Sequence, residues 1–200
     1  MLKRAMADAV QPVSTTESTD PRVLRSRQML MEALLRLLNH KEFDDISIQE
    51  IADEAGLNRA TFYLHYPDKN ALLHAMTAAR FRDLIARRGL SFSNCDSALR
   101  AIALGVCDYL AETAGCPTKL TQMPLEGSII PVVEEVFEEG AAKHGITPNA
   151  DSRLLATTAA WAIFGAARRW HQTPDRIPAE EMAARIEAMV KPIFLTASSV

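Results

Sequence analysis

Two hundred residues allow one domain, or a small domain joined to a medium one, and exclude a multi-domain machine. With 48% hydrophobic and 24% charged residues, the chain can bury a core unaided by metal or disulfide. A formal charge of -3, from 22 Lys+Arg against 25 Asp+Glu, excludes a global cationic field, so any nucleic-acid contact must come from a local surface. Eight glycines and 6% aromatics, beside Ala-, Leu-, Glu- and Arg-rich stretches, point to an all-α protein. Cys95, Cys107 and Cys116 are odd in number and lack CxxC spacing, so neither a disulfide framework nor a zinc knuckle is expected, and a reducing cytoplasm fits. No metal or cofactor is expected. The longest uncharged run, Leu154 to Ala167, is fourteen residues and too short for a bilayer. No apolar segment follows Lys3 and Arg4, so no secretory leader is expected.

Residues 1–19 read as a flexible tail, because Val13 to Thr19 is polar and without periodicity; a DNA-touching arm is the alternative. Asp20 as N-cap and Pro21 at the first helical position start a helix whose apolar stripe is Leu30, Ala33, Leu34, Leu37 and Leu38. Arg22, Arg25 and Arg27 crowd its first turns, where cations oppose the helix dipole. Ser47-Ile48-Gln49-Glu50 is a capping box that opens a short helix with the face Ile48, Ile51, Ala52 and Ala55, closed by Gly56. Asn58 caps a second short helix over residues 59–65, which Tyr66-Pro67 ends. Asp68 caps a longer helix running to about Gly89, with Leu72, Leu73, Met76, Leu84 and Ile85 inward. Helices follow near 96–114, 128–143, 149–171 and 179–197, with a weakly signalled turn near 119–125.

Two short helices joined by a glycine turn and packed on a longer one fit a helix-turn-helix, although hairpins of this length also occur without DNA binding. The segment IQEIADEAGLNRATFYLHYPDKNALL, Ile48 to Leu73, resembles the N-terminal DNA-binding domain of the tetracycline-repressor (TetR) family of transcriptional regulators. Ala60 to Lys69 carries the distinctive Thr-Phe-Tyr-Leu-His-Tyr-Pro-Asp-Lys run, and with the first helix the resemblance covers Arg22 to about Met76. It implies that Gln49, Arg59, Ala60, Tyr63 and Leu64 face the groove, and that Ser47, Thr61, His65 and Lys69 contact or position phosphates. The chemistry agrees: arginine forks onto guanine, glutamine onto adenine, small apolar groups meet a thymine methyl, and hydroxyls and ammonium fix register on phosphates. Plain alternatives stand beside these roles: Tyr63 as packing, His65 as a solvated or capping histidine, Lys69 as an exposed residue past a cap. Phe62 and Tyr66 are assigned to the core. Residues 21–70 carry seven Lys+Arg against eight Asp+Glu, so Glu50, Asp53 and Glu54 must point away from a duplex.

The resulting organisation is a tail (1–19), a three-helix helix-turn-helix DNA-binding domain (20–67) and a larger helical effector-binding and dimerisation domain (68–200) that begins with a connecting helix (68–89). One recognition helix touches little DNA, so a homodimer on double-stranded DNA is expected. Met182, Ile186, Met189 and Ile193 in the last helix, with Ala156, Ala159, Ala160, Ile163 and Ala167 in the one before, are the candidate dimer face; intrachain core is the alternative. Thr157, Trp161, Phe164 and Arg168, with Cys107, Tyr109, Met123 and Phe137, are candidate lining for a small-molecule effector cavity, and ordinary core reads equally well. No Gly-rich phosphate loop, GxSxG or HExxH occurs, and the five histidines show no ligand spacing, so an enzyme is not expected. The expected function is a ligand-released repressor on a palindromic operator. Its rivals are an activator of the same type without an effector and a helical protein-interaction module.

Overall fold

A computed structural model of the chain describes residues 20–88, 95–115, 125–143, 147 and 149–197. Regular structure among them is helical throughout: α1 (Pro21–Leu37), α2 (Ile48–Glu54), α3 (Arg59–His65), α4 (Lys69–Arg87), α5 (Cys95–Gly115), α6 (Leu125–Lys143), α7 (Ala150–His171) and α8 (Ala179–Ala197). A single 3₁₀ turn, Phe43–Asp45, precedes α2. The expected tail, the possible turn near 119–125 and Met123 lie outside the described residues.

The helix starts follow their capping chemistry. Asp20, Ser47, Asn58, Asp68 and Asn149 each accept a backbone N–H of the first turn, which satisfies amides that have no intrahelical partner. α6 starts three residues earlier than its periodicity suggests and carries Pro131 inside it. Two apolar cores result. The first gathers Leu30, Ala33 and Leu34 of α1 and its C-cap Leu38 with Phe43, Ile46, Ile51, Phe62 and Tyr66, and is closed by Leu72 and Leu73 of α4. The second joins Ala78, Phe81, Leu84 and Ile85 of α4 to α5, α6, α7 and α8.

α4 therefore belongs to both bodies, its first two turns to one core and its remainder to the other. Its charged side chains tie it further to the larger body. Arg80 reaches Glu112 at 2.8 Å, Arg82 reaches Glu139 at 2.6 Å, and His74 lies 3.4 Å from Glu135. Arg88, just past the helix end, forks onto Asp108 through two bonds of 2.9 and 2.7 Å and also reaches Glu180 at 2.5 Å. These bonds hold the Arg88 guanidinium well above its ordinary value, with the Asp108 bond the largest cause.

The packing corrects the expected dimer face. Ala156, Ala159, Ala160, Ile163 and Ala167 of α7 and Ile186 of α8 are fully or almost fully buried within the chain, and Met182 and Ile193 pack against the same core. Small residues do allow close approach, but they use it between α7 and its own neighbours. Met189 alone of the nine stands out, 59% exposed. The outward side of α7 instead carries Leu154, Thr158, Trp161 and Ala162, with Leu154 at 66% and Trp161 at 53% exposure.

The expected cavity lining also divides. Cys107, Tyr109 and Phe164 are buried, Phe137 packs on Phe194 at 5.4 Å between ring centres, and Thr157 is half-buried. Trp161 and Arg168 face outward, with Arg168 3.4 Å from Glu126. Along a helix, positions 161 and 164 project about 60° apart, so this stripe straddles the boundary between core and solvent rather than facing one space. Burial pushes the Cys107 thiol up to about 12, which keeps it protonated and makes it an apolar packing group.

Candidate nucleic-acid interface

The interface begins with two caps and one turn. Ser47 Oγ accepts the Glu50 N–H at 3.2 Å, while the Glu50 carboxylate accepts the Ser47 N–H at 2.9 Å and its hydroxyl at 2.8 Å. Lys41 also donates to Glu50, and this bond, followed by the Ser47 ones, lowers the carboxyl to about 2. At the other end of α2, the Gly56 N–H reaches Asp53 O at 3.0 Å and the Leu57 N–H reaches Ala52 O at 2.9 Å. This pair of bonds needs a left-handed residue between them, which Gly56 supplies at φ 68°. The turn that sets α3 across α2 is thus fixed by one residue that lacks a Cβ.

α3 is anchored from beneath. Phe62 is wholly buried and Tyr66 nearly so, and their rings lie 6.1 Å apart in the core shared with α1 and α4. One anchored face leaves the opposite one unsupported by protein. There Arg59 and Ala60 are exposed, Tyr63 is 46% exposed and Leu64 80%. Gln49 on α2 is exposed as well, its amide donating to Asp53 at 2.8 Å. The five expected groove-facing residues therefore all lie on the solvent side of the hairpin.

Of the expected phosphate-side residues, Ser47 is exposed at its cap and His65 is half-buried in the last turn of α3. Burial, with the Arg27 charge second, holds the His65 imidazole below its ordinary value, so at neutral pH it would meet a phosphate as a neutral N–H donor. Thr61 is half-buried, and its hydroxyl donates to Asn58 Oδ1 at 2.9 Å inside the cap, so its proton is already used. Lys69 departs furthest from expectation. Its ammonium donates to the carbonyls of Phe43 at 2.9 Å, Asp44 at 2.9 Å and Ile46 at 3.0 Å, and lies 4.8 Å from the centre of the Phe43 ring. An ammonium has three hydrogens, and here three carbonyls take them, so Lys69 braces the 3₁₀ turn against α4 instead of waiting for a phosphate.

Two of the acidic side chains of α2 are answered by cations the sequence reading passed over, while Asp53 stays exposed and accepts from Gln49. Lys41 pairs with Glu50, and Arg36 of α1 pairs with Glu54 at 2.5 Å while donating to the Glu54 carbonyl at 3.0 Å. Their signal was present only as cations of unassigned role. The 3₁₀ turn was missed for a related reason: Phe43 and Ile46 are spaced three apart, but too briefly for periodicity to register.

Three helices around one core, with a glycine turn and an outward second short helix, define an all-α protein of the helix-turn-helix class. Residues 30–76 match the family model described as bacterial regulatory proteins, tetR family. Residues 30–76 thus carry the sequence pattern of the TetR family's DNA-binding domain. A relative from Mycolicibacterium smegmatis, the HTH-type transcriptional regulator EthR, is 28% identical over 77% of this chain and 66% of its own length. The uncharacterized HTH-type transcriptional regulator YxbF of Bacillus subtilis is 29% identical over 49% of this chain and 26% of that protein. The chain thus spans no more than about two thirds of these relatives. A TetR-family regulator from Streptomyces coelicolor A3 superimposes with a TM-score of 0.62 at 16% identity, covering 88% of this chain and 97% of that one, a likeness of fold.

Proposed function

We propose that the chain is a transcriptional repressor that binds a palindromic operator as a homodimer through α3 and is released by a small molecule held in the body built from α5 to α8. The observation that carries the DNA part is the outward face of α3. Leu64 and Tyr63 are side chains that a core would ordinarily claim, yet they are exposed beside Arg59 on a helix whose other face is pinned. Arginine and apolar tips are side chains that read base edges in a major groove. Glu50 and Glu54 of α2 are paired with Lys41 and Arg36, and Asp53 is held by the Gln49 amide.

For the dimer, the outward apolar side of α7, namely Leu154, Trp161 and Ala162, with Met189 of α8, replaces the buried alanines as the surface a second copy would cover. For release, an effector must bind the DNA-incompetent arrangement more tightly, and a hundredfold preference corresponds to about 2.7 kcal/mol. The inward residues Cys107, Tyr109 and Phe164 are the remaining candidates for contact with it, and α4 is the lever because it helps to build both cores.

Gel shifts on random-sequence DNA at a series of salt concentrations test the reading. Binding should weaken along a straight line of log affinity against log salt, as counterion release requires. A hairpin used for protein contacts would bind no DNA and show no such line.

A further inference from the structure

Arg59 and Tyr63 do not stand separately on α3. They are one turn apart, the Arg59 Nη2 donates to the Tyr63 hydroxyl oxygen at 3.2 Å, and the guanidinium carbon lies 5.6 Å from the centre of the Tyr63 ring. Both are exposed on the face opposite Phe62 and Tyr66. A free arginine on a helix surface samples many rotamers, whereas this one is drawn along the helix by a ring beneath it and a hydroxyl at its tip.

The bond also sets what the pair can offer. The guanidinium has five N–H groups and no acceptor, and only one is spent on Tyr63. Because the Tyr63 oxygen accepts from Arg59, its own O–H is turned elsewhere. The tip of α3 therefore presents hydrogen-bond donors only, flanked by the apolar Ala60 and Leu64.

Resting on the DNA reading above, we infer that Arg59 and Tyr63 act as one donor-only unit, that Tyr63 is a positioning residue for Arg59, and that the half-site it recognises carries a guanine at the Arg59 position. In the major groove guanine alone shows two adjacent acceptors, N7 and O6. Adenine sets a donor beside its N7, cytosine shows a donor, and thymine shows one acceptor beside its methyl group, so each leaves a donor of the pair opposed or unmatched.

The experiment uses the full chain and the fragment it enriches most from a random DNA pool. Affinity is measured for the unchanged protein, Tyr63→Phe, Tyr63→Ala, Arg59→Ala and the double variant, on that fragment and on copies with 7-deazaguanine, which lacks the N7 acceptor, at each guanine in turn. Arg59→Ala should cost roughly 5- to 150-fold, and one 7-deazaguanine should weaken the unchanged protein but not Arg59→Ala. Tyr63→Ala should cost about two- to fivefold while Arg59 is present and almost nothing in its absence, with Tyr63→Phe between because it keeps the ring. Equal cost of Tyr63→Ala in both backgrounds would overturn the pairing, since Tyr63 would then be touching DNA on its own account. The guanine assignment is overturned if no 7-deazaguanine separates the unchanged protein from Arg59→Ala. Both exposed side chains can be removed without opening the core, and an unchanged melting temperature verifies that. If the pool yields no enriched fragment and binding has no salt slope, it is the DNA reading that fails, not the pairing.

Discussion

Three hydrogens on one ammonium meet three carbonyls at Lys69, and that fit converts a residue expected on DNA into a brace. Lys69→Ala should destabilise the N-terminal body by about 1.5–3 kcal/mol, because it strips charged hydrogen bonds from three carbonyls at once, and chemical denaturation reads the loss directly. The slope of log affinity against log salt should be unchanged, whereas a phosphate contact would have reduced it by about one. Glu50 makes the matching case for an acid. Its carboxyl is held at about 2 by Lys41 and Ser47, so the folded state favours the charged form. A depressed carboxyl contributes stability that is complete above its ordinary value of 4.5 and is lost as pH falls toward 2. Melting temperature should therefore drop over that acid window in the natural protein, and the drop should be shallower in Glu50→Gln. An identical pH profile in the two proteins would contradict the pairing.

Among the elements, those set by local chemistry were legible in advance. Asp20-Pro21, Ser47 with Glu50, Gly56 and Asn58 each fix a helix end through a bond one to three residues away, and the structure forms them as their spacing dictates. The hairpin was readable for the same reason, whereas the residues expected on its outward face came from the resemblance of Ile48 to Leu73 to the TetR family. What a helix face packs against was not, because that depends on residues distant in sequence. The alanines of α7 look alike whether they meet α5 or a second chain, and Trp161 looks like lining until its neighbours are known. Gly105 is a close approach of this unreadable kind: a Cβ there would lie 2.9 Å from Ile85 Cγ1 and 3.0 Å from Phe81 Cε2. Those side chains belong to α4 and are buried, so they have nowhere to move. Gly105→Ala gains up to about 1 kcal/mol of helix propensity but overpacks the contact at a cost of about 1–3 kcal/mol. A lower melting temperature is the expected outcome, and a higher one would mean that α4 and α5 can slide apart cheaply.

At the scale of the whole molecule, two bodies share α4, and Arg80, Arg82 and Arg88 fasten that helix to the larger of them. One continuous helix, α4, thus takes part in both cores. The second copy proposed above would cover Leu154, Trp161 and Met189, all of them outward and apolar. Trp161→Glu should shift the mass in sedimentation equilibrium from two chains toward one while leaving the helical circular dichroism signal in place, because the side chain it replaces is 53% exposed. Selection from a random-sequence pool followed by sequencing tests the proposal that α3 reads DNA and does so twice. Two inverted half-sites are expected, their centres about one helical turn, roughly 34–36 Å, or a multiple of it apart, with the same base position relaxed in both halves by Arg59→Ala. Enriched sequences without inverted symmetry, or a preference that survives intact in Arg59→Ala, would contradict it.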